Sequence, residues 1–469
     1  MILLTLPNRT PCGKFIAVVA KKDPRTDGFR FSSPKTRSSV LFFLFILVNA
    51  AIFIRPAEIT PELATVPIYL ILILLCFVLA LPKLVMDLLR EPITNRPISI
   101  CMLGMLLAIV LSNLSKGNLT KANWDGTEFI KIVMFYFLLV GLVDTPARLR
   151  TFLIALLVLI SIMTTIALLQ YQGVINIPAL KVLERKEFEP NLGEDVVYFQ
   201  LVGTGIFNDP NDLCVILTLG IVIGLYLFSE RRFGIFRVTF LLLSFELAYA
   251  LYQTQSRGGL LACMASVLTL IALRIGLKKT ILLACFGLPV VLAALGGRFA
   301  RMSTGEDTAR ERLELWREAL LLFRKSPLFG NGSNTLVDEI GLVAHNSYVH
   351  AFGELGFFGG TLFVGIYFLA FYSLFRLGRD ESVAVDPELR SMRPYVIAMV
   401  VGYAVSLYSI SRIYIATSYI AVGLAEIYSR VSTIDSPESR LRLNGRILAK
   451  ILGASVGFLI FIHLFLRVA

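Results

Sequence analysis

Tyr69-Leu70-Ile71-Leu72-Ile73-Leu74-Leu75-Cys76-Phe77-Val78-Leu79-Ala80 carries no charge, and the uncharged run widens to residues 63–81 between Glu62 and Lys83. A hydrocarbon core about 30 Å thick takes about 20 apolar residues in a helix. A helix that is apolar all round sits either in lipid or in the middle of a large core. Repetition decides between the two, because runs of this kind return along nearly the whole chain. Of the 469 residues 56% are hydrophobic and 17% are charged, whereas a soluble domain carries about 25% charged residues. Apolar runs fall at 39–54, 64–82, 97–112, 127–143, 151–171, 210–228, 236–253, 257–274, 279–296, 355–375, 394–409, 412–429 and 448–467. The pattern predicts an all-α polytopic membrane protein of about 12–13 transmembrane helices. Residues 409–412 read as a tight turn between two short helices, with one broken helix as the other reading.

The connections test this organisation. With residues 1–38 taken as a basic cytoplasmic arm, the connections on that side hold 28 Lys and Arg. The opposite side holds 16, seven of them in residues 297–345, and Lys131 inside a span completes the 45. Short connections on the far side are therefore poor in positive charge, as membrane insertion requires. The net charge of +12 is spread over these connections and forms no aromatic-interleaved basic patch, so no nucleic-acid partner is expected. Cys76, Cys101, Cys214, Cys263 and Cys285 lie in or beside spans and Cys12 alone lies outside one, which is no disulfide framework. Pro7, Arg9 and Pro11 break the first apolar stretch, so no secretory signal is read there.

The chain divides into the arm (1–38), nine spans (39–296), a large outer loop (297–354) and the C-terminal spans (355–469). A second outer loop, residues 173–208, carries Glu184-Arg185-Lys186-Glu187 and reads as solvated. Within the large loop Thr308 and Glu311 have capping-box spacing. Leu313, Trp316, Leu320 and Phe323 then share a face, which gives an amphipathic helix on the membrane surface or against the spans.

Chemistry concentrates at the end of that loop. The chain has three histidines. His463 sits in an apolar span and reads as packed. His345 and His350 lie in Ala344-His345-Asn346-Ser347-Tyr348-Val349-His350-Ala351-Phe352-Gly353-Glu354-Leu355-Gly356. Imidazole at a membrane mouth moves protons near neutral pH, although an interfacial histidine can equally cap a helix. On a helix His345 and His350 stand about 140° apart and do not converge on a metal. His350 and Glu354 share a face, but two ligands are not a site. No H-E-x-x-H, D-x-D, G-x-S-x-G or phosphate-binding glycine loop is present, which removes the usual sequence signs of metal, serine-hydrolase or ATP-driven chemistry. Arg257, in Gln255-Ser256-Arg257-Gly258-Gly259, opens an apolar span on the same side as His345 and either snorkels or binds an anion. Arg312 in the amphipathic helix and Arg412 in the turn are surface cations if taken singly. Gathered near one histidine, guanidinium groups make a clamp for phosphate or pyrophosphate.

Four elements together resemble the bacterial O-antigen ligase and polymerase family. Ser256-Arg257-Gly258-Gly259 is similar to its S-R-G segment. Arg312-Leu313-Glu314-Leu315-Trp316 with Pro327-Leu328-Phe329-Gly330-Asn331-Gly332 resembles its R-x-x-x-W and P-L-x-G-x-G run. His345-Asn346-Ser347 with Glu354 and Gly356 resembles H-N-S…E-x-G. The fourth, Gly203-Thr204-Gly205-Ile206-Phe207-Asn208-Asp209-Pro210-Asn211-Asp212, resembles G-T-x-x-x-D-P-N. The likeness covers roughly residues 200–375 and departs around Asn331 and in the extra span.

The resemblance implies a metal-independent, inverting glycosyltransferase of the bacterial inner membrane that uses no cofactor. Its partners would be a polyprenyl-pyrophosphate-linked glycan donor, a glycolipid or glycan acceptor and membrane lipids, with the site facing the periplasm. On these residues His345 is the expected base, Arg257 and Arg312 the pyrophosphate ligands, and Glu354, Asn346, His350 and Arg412 the supporting groups. A ligase is the first reading. A repeat-unit polymerase, a protein O-oligosaccharyltransferase and, outside enzymes, a transporter of lipid-linked glycan are the alternatives.

Overall fold

The computed structural model describes residues 34–63, 65–189, 194–287, 305–379, 386–434 and 436–468. The chain first forms α1 (Pro34–Phe53), α2 (Ile68–Arg90), α3 (Pro97–Ser115), α4 (Leu119–Leu142) and α5 (Pro146–Tyr171). An antiparallel hairpin follows, β1 (Leu183–Glu189) and β2 (Glu194–Gln200), in register Leu183 to Gln200. Then come α6 (Pro210–Ser229), α7 (Arg237–Gln253), α8 (Arg257–Ile275), α9 (Gly305–Lys325) and α10 (Thr335–Ile340). The chain ends with α11 (Ser347–Leu377), α12 (Pro387–Ser406), α13 (Ile420–Ser432) and α14 (Gly445–Val468).

Among the described residues nine helices are long and apolar enough to cross a membrane. The protein is an all-α polytopic membrane protein. Of the other expected spans, α4 and α12 have the length but also charges such as Lys121, Asp125, Glu388 and Arg390, and α13 has 13 residues. The expected span at 279–296 lies partly outside the described residues, of which 277–287 are helical. The expected N-terminal arm lies outside them as far as residue 33, and residues 34–38 already belong to α1.

Burial orders the bundle. In α6, 83% of the apolar window is buried, against 22% in α2 and 17% in α14, so α6 is central and the other two face outward. Leu70, Ile71, Leu74, Leu75 and Val78 of α2 stand exposed, a continuous apolar stripe that water would oppose and lipid accepts. Successive connections gather at alternate ends of the bundle. At one end, Glu91 after α2 meets Arg440 before α14, Lys83 meets Asp144, and Arg150 meets Glu388. At the other, Thr204 Oγ1 donates to the Phe53 carbonyl (2.9 Å) and Ser112 Oγ to the Glu354 carbonyl (2.6 Å).

Several boundaries differ from expectation. Helix α2 continues through Pro82 to Arg90, eight residues beyond the apolar run. Lys83 allows this by turning inward, its Nζ donating to the Gly141 carbonyl at 2.6 Å. Helix α11 begins at Ser347, not 355, because Asn346 caps it. The break after α12 runs from Leu407 to Ile415, longer than a tight turn, and separates two helices. Residues 183–189 and 194–200, expected as solvated loop, are paired strands. Thr308 lies inside α9 rather than ahead of it, so it does not start a capping box. The inward face of α9 centres on Leu315, Trp316, Ala319 and Leu322, and the Trp316 ring packs on Tyr408 (5.3 Å) and on Phe465 of α14 (6.2 Å).

Candidate functional site

The site grows from a kink in α11. Gly356 has φ +66° and ψ −165°, outside helical space, and a kinked helix leaves backbone groups in need of new partners. The Pro327–Gly332 segment supplies them. Phe357 N–H donates to the Pro327 carbonyl (2.7 Å) and Phe358 N–H to that of Leu328 (3.1 Å), while Asn331 N–H (3.0 Å) and Gly332 N–H (3.1 Å) donate to Glu354 O. A Cβ on Gly330 would collide with the Glu354 carbonyl, and one on Gly356 would stand 2.5 Å from Gly330 N. The two glycine motifs are thus halves of one backbone clasp.

Glu354 is fully buried and holds this clasp from inside. Its carboxylate accepts from Tyr414 OH (2.7 Å) and Leu336 N–H (3.2 Å) and lies 3.0 Å from His350 Nε2. His350, also buried, has its ring edge-on to Tyr414 at 6.1 Å. His350 and Glu354 therefore meet as their spacing on one helix face requires, but inside the protein.

A second set of contacts joins the break after α12 to α6 and α8. Ser347 N–H donates to the Leu407 carbonyl (2.8 Å), Ser347 Oγ to that of Ile410 (2.6 Å), and Arg412 N–H to Ser347 Oγ (2.9 Å). The Arg412 guanidinium grips buried Asp212 of α6 two-pronged, with Nε to Oδ1 at 2.6 Å. Asp209 caps α6 through Asn211 N–H (2.8 Å), Asn211 accepts from Ser256 Oγ (2.6 Å), and Ser256 caps α8 through Gly259 N–H (2.9 Å). Arg257 follows that cap, exposed, and its neighbour Gly258 packs on Ser409 of the break.

His345 sits between these two assemblies, half-buried, with φ +49°. The contacts of its two chain neighbours hold it. Asn346 Oδ1 accepts from Tyr348 N–H (3.0 Å) and Val349 N–H (3.2 Å), fixing the start of α11. Trp316 Nε1 donates to the Ala344 carbonyl at 2.9 Å. Since Arg312 and Trp316 lie one turn apart on α9, the tryptophan that anchors Ala344 also sets Arg312 toward His345. Burial and the Arg312 charge, with a smaller push from Arg412, hold the His345 pKa below its ordinary 6.5 against the opposing charges of Asp209 and Glu311. A neutral imidazole beside guanidinium groups accepts a proton at pH 7 and sits where an anion is attracted.

Arg312, Arg412 and His345 are thus in one electrostatic neighbourhood. Arg257 stands at the start of α8 beside Gly258, which packs on Ser409, Asn346 is a helix cap, and Glu354 and His350 are buried. Sequence reasoning passed over Asp212, Tyr414, Ser347 and Trp316 as partners. A carboxylate in the first turn of an otherwise apolar helix was the available sign for Asp212, because such a charge needs a partner. Among the described residues no group of three His, Cys, Asp or Glu side chains is placed to hold a metal ion.

Fold and site together define a multi-pass membrane protein with a polar site built from broken helices at one end of its bundle. A family model described as O-antigen ligase matches residues 240–364, which include Arg257, Arg312, His345 and Glu354. Over those residues the resemblance to the O-antigen ligase and polymerase family is shown. The Asp209–Asp212 element and Arg412 lie outside the matched segment, joined to it by the contacts above. No curated protein matches the chain.

Proposed function

We propose that the protein is an O-antigen ligase-like glycosyltransferase, moving a glycan from a polyprenyl-pyrophosphate donor to an acceptor hydroxyl at the periplasmic face of a bacterial inner membrane. The observation that carries this reading is His345, held neutral beside Arg312 and Arg412. In the proposed step the acceptor oxygen bonds to the anomeric carbon while its proton passes to the His345 imidazole. The bond from that carbon to the pyrophosphate oxygen breaks, and the electron pair leaves on the pyrophosphate. Arg257 and Arg312 meet the growing negative charge, and Arg412, fixed by Asp212, adds to the field. A single displacement inverts the anomeric centre. Glu354, His350 and Asn346 act through the backbone that carries His345. The step as written draws on no metal and no cofactor.

The test is transfer by the purified protein in lipid nanodiscs, with a polyprenyl-pyrophosphate glycan and a glycolipid acceptor. Asparagine tolerates the left-handed backbone at position 345 but cannot take the proton. His345→Asn is therefore expected to fold normally and to lower kcat by about 10²–10⁴-fold, and chelator is expected to leave wild-type turnover unchanged. Full turnover by His345→Asn would remove His345 as the base, and no transfer by the wild-type protein would put the transporter reading ahead.

A further inference from the structure

A cleft of about 440 Å³ opens beside this site, and the reaction above makes no use of it. It lies between the end of α1, the first turns of α4 and residues 414–416. Trp124, 68% exposed, stands at the cleft, and Asp125, Glu128 and Lys131 follow on α4. From Trp124 to Ile132 an α-helix rises about 12 Å, so the lining follows α4 for about two turns. The volume falls in the range of small-molecule sites, about 300–1,000 Å³.

The cations of this cleft are paired. Lys131 Nζ lies 2.5 Å from Glu128 Oε2, and Arg55 Nη1 lies 2.5 Å from Glu58 Oε1. Asp125 Oδ2 accepts from Ser333 Oγ (2.5 Å) and Asn113 Nδ2 (3.3 Å). An anion would gain little from cations already paired, so pyrophosphate is the wrong occupant. An open indole face, two carboxylates with spare lone pairs and a hydroxyl fit a polar, uncharged ring. The C–H face of a sugar packs on the indole, and its hydroxyls donate to Asp125 and Glu128. Ionisable groups that line a cavity mark a ligand path more often than a packing role. The cleft also touches the machinery of His345, since Tyr414 lines it and donates to Glu354 at 2.7 Å.

We propose that this cleft binds a glycan segment of one of the two substrates, with Trp124 as the stacking platform and Asp125 and Glu128 as hydroxyl acceptors. The choice of ligand rests on the transferase reading, whereas the binding measurement that tests it does not. The chain has two tryptophans, so Trp124→Phe leaves Trp316 as the sole indole emitter. The full-length protein in nanodiscs is titrated with two lipid-free oligosaccharides, one released by mild acid from the polyprenyl-linked donor and one from the acceptor glycolipid. A saturable change in tryptophan emission with at least one of them, absent in Trp124→Phe, is expected. In transfer kinetics Trp124→Ala should raise KM for that same substrate about tenfold, more than it lowers kcat, and the substrate affected tells donor from acceptor. The proposal is overturned by no saturable change with either oligosaccharide, by the same change in Trp124→Phe, or by unchanged KM values in Trp124→Ala. A response confined to short-chain phosphatidylethanolamine would overturn it too, making the cleft a lipid-headgroup pocket. Oligosaccharide binding without any transfer would support the cleft and sink the transferase reading.

Discussion

The two ends of the bundle are held by different chemistry. At the Glu91 end, long charged side chains reach across helix ends. Glu91 takes Arg96 (3.2 Å) and Arg440, Asp144 takes Lys83 (2.5 Å) and Arg148 (2.9 Å), and Glu388 takes Arg150 (2.5 Å) and Arg232 (2.9 Å). At the His345 end the ties are mostly backbone amides and hydroxyls, with two buried carboxylates, Glu354 and the Asp212 that Arg412 grips. Ion pairs between flexible side chains fix helix ends loosely and neutralise their cations. A backbone clasp fixes the residues it joins more tightly than a pair of long side chains does. One end is built for cohesion and the other for placement.

The largest way to break this contrast is Glu354→Ala. It strips the acceptor from Tyr414 and Leu336 in a buried place, about 1–3 kcal/mol for each unsatisfied group. Transfer is expected to fall at least 100-fold, as expected for a loosened His345, and the thermal unfolding midpoint in detergent to drop. Glu354→Gln, which keeps an acceptor oxygen, should recover most of the midpoint. Equal activity for Glu354→Ala and wild type would show that the clasp does not place His345. Asp212→Asn comes next. It keeps the shape but removes the charge that fixes Arg412, and transfer kinetics should show about a tenfold loss in kcat/KM, equivalent to about 1.4 kcal/mol. At the other end Glu91→Gln should cost about 2 kcal/mol of stability, between an exposed and a fully buried pair, and leave turnover within about twofold. A larger loss of turnover than of stability there would erase the contrast.

How much of this the chain announced follows the same division. Uncharged runs such as 63–81 have one physical solution, so the spans were legible. Their ends were not, because Lys83 and Asn346 move a boundary by contacts made across the fold. The hairpin was hidden by Glu184-Arg185-Lys186-Glu187, although Val196-Val197-Tyr198-Phe199 carries the β-branched and aromatic residues a strand prefers. His345, Arg257 and Arg312 stood out because charge and imidazole are rare in such a sequence. Their supports did not, since a serine such as Ser347 or a tyrosine such as Tyr414 looks ordinary until its partner is known. The glycine motifs were legible as a pattern and became physical only when Gly330 met Gly356.

The smallest expected effect is on pH, and it separates the two ends without a large change in either. The pKa of His345 lies below its ordinary 6.5 through burial and the Arg312 charge. The neutral form is therefore complete above that lowered value, and transfer should fall as pH drops through it. Burial pushes Glu91 up, but Arg440, Arg96 and Arg430 outweigh this and hold it below its ordinary 4.5. A depressed carboxylate gives stability that is present above 4.5 and lost as pH falls through its folded value. His345 itself removes a little stability between 6.5 and its lowered value, since the unfolded chain takes up that proton first. Turnover lost as pH drops through the His345 value should return on going back to pH 7. Arg312→Gln removes a charge that depresses His345, so the acid limb of kcat should move to higher pH while the unfolding midpoint keeps its pH dependence. An acid limb that stays in place would show that Arg312 does not set the histidine, and a limb that moves together with unfolding would show that the two ends are not independent.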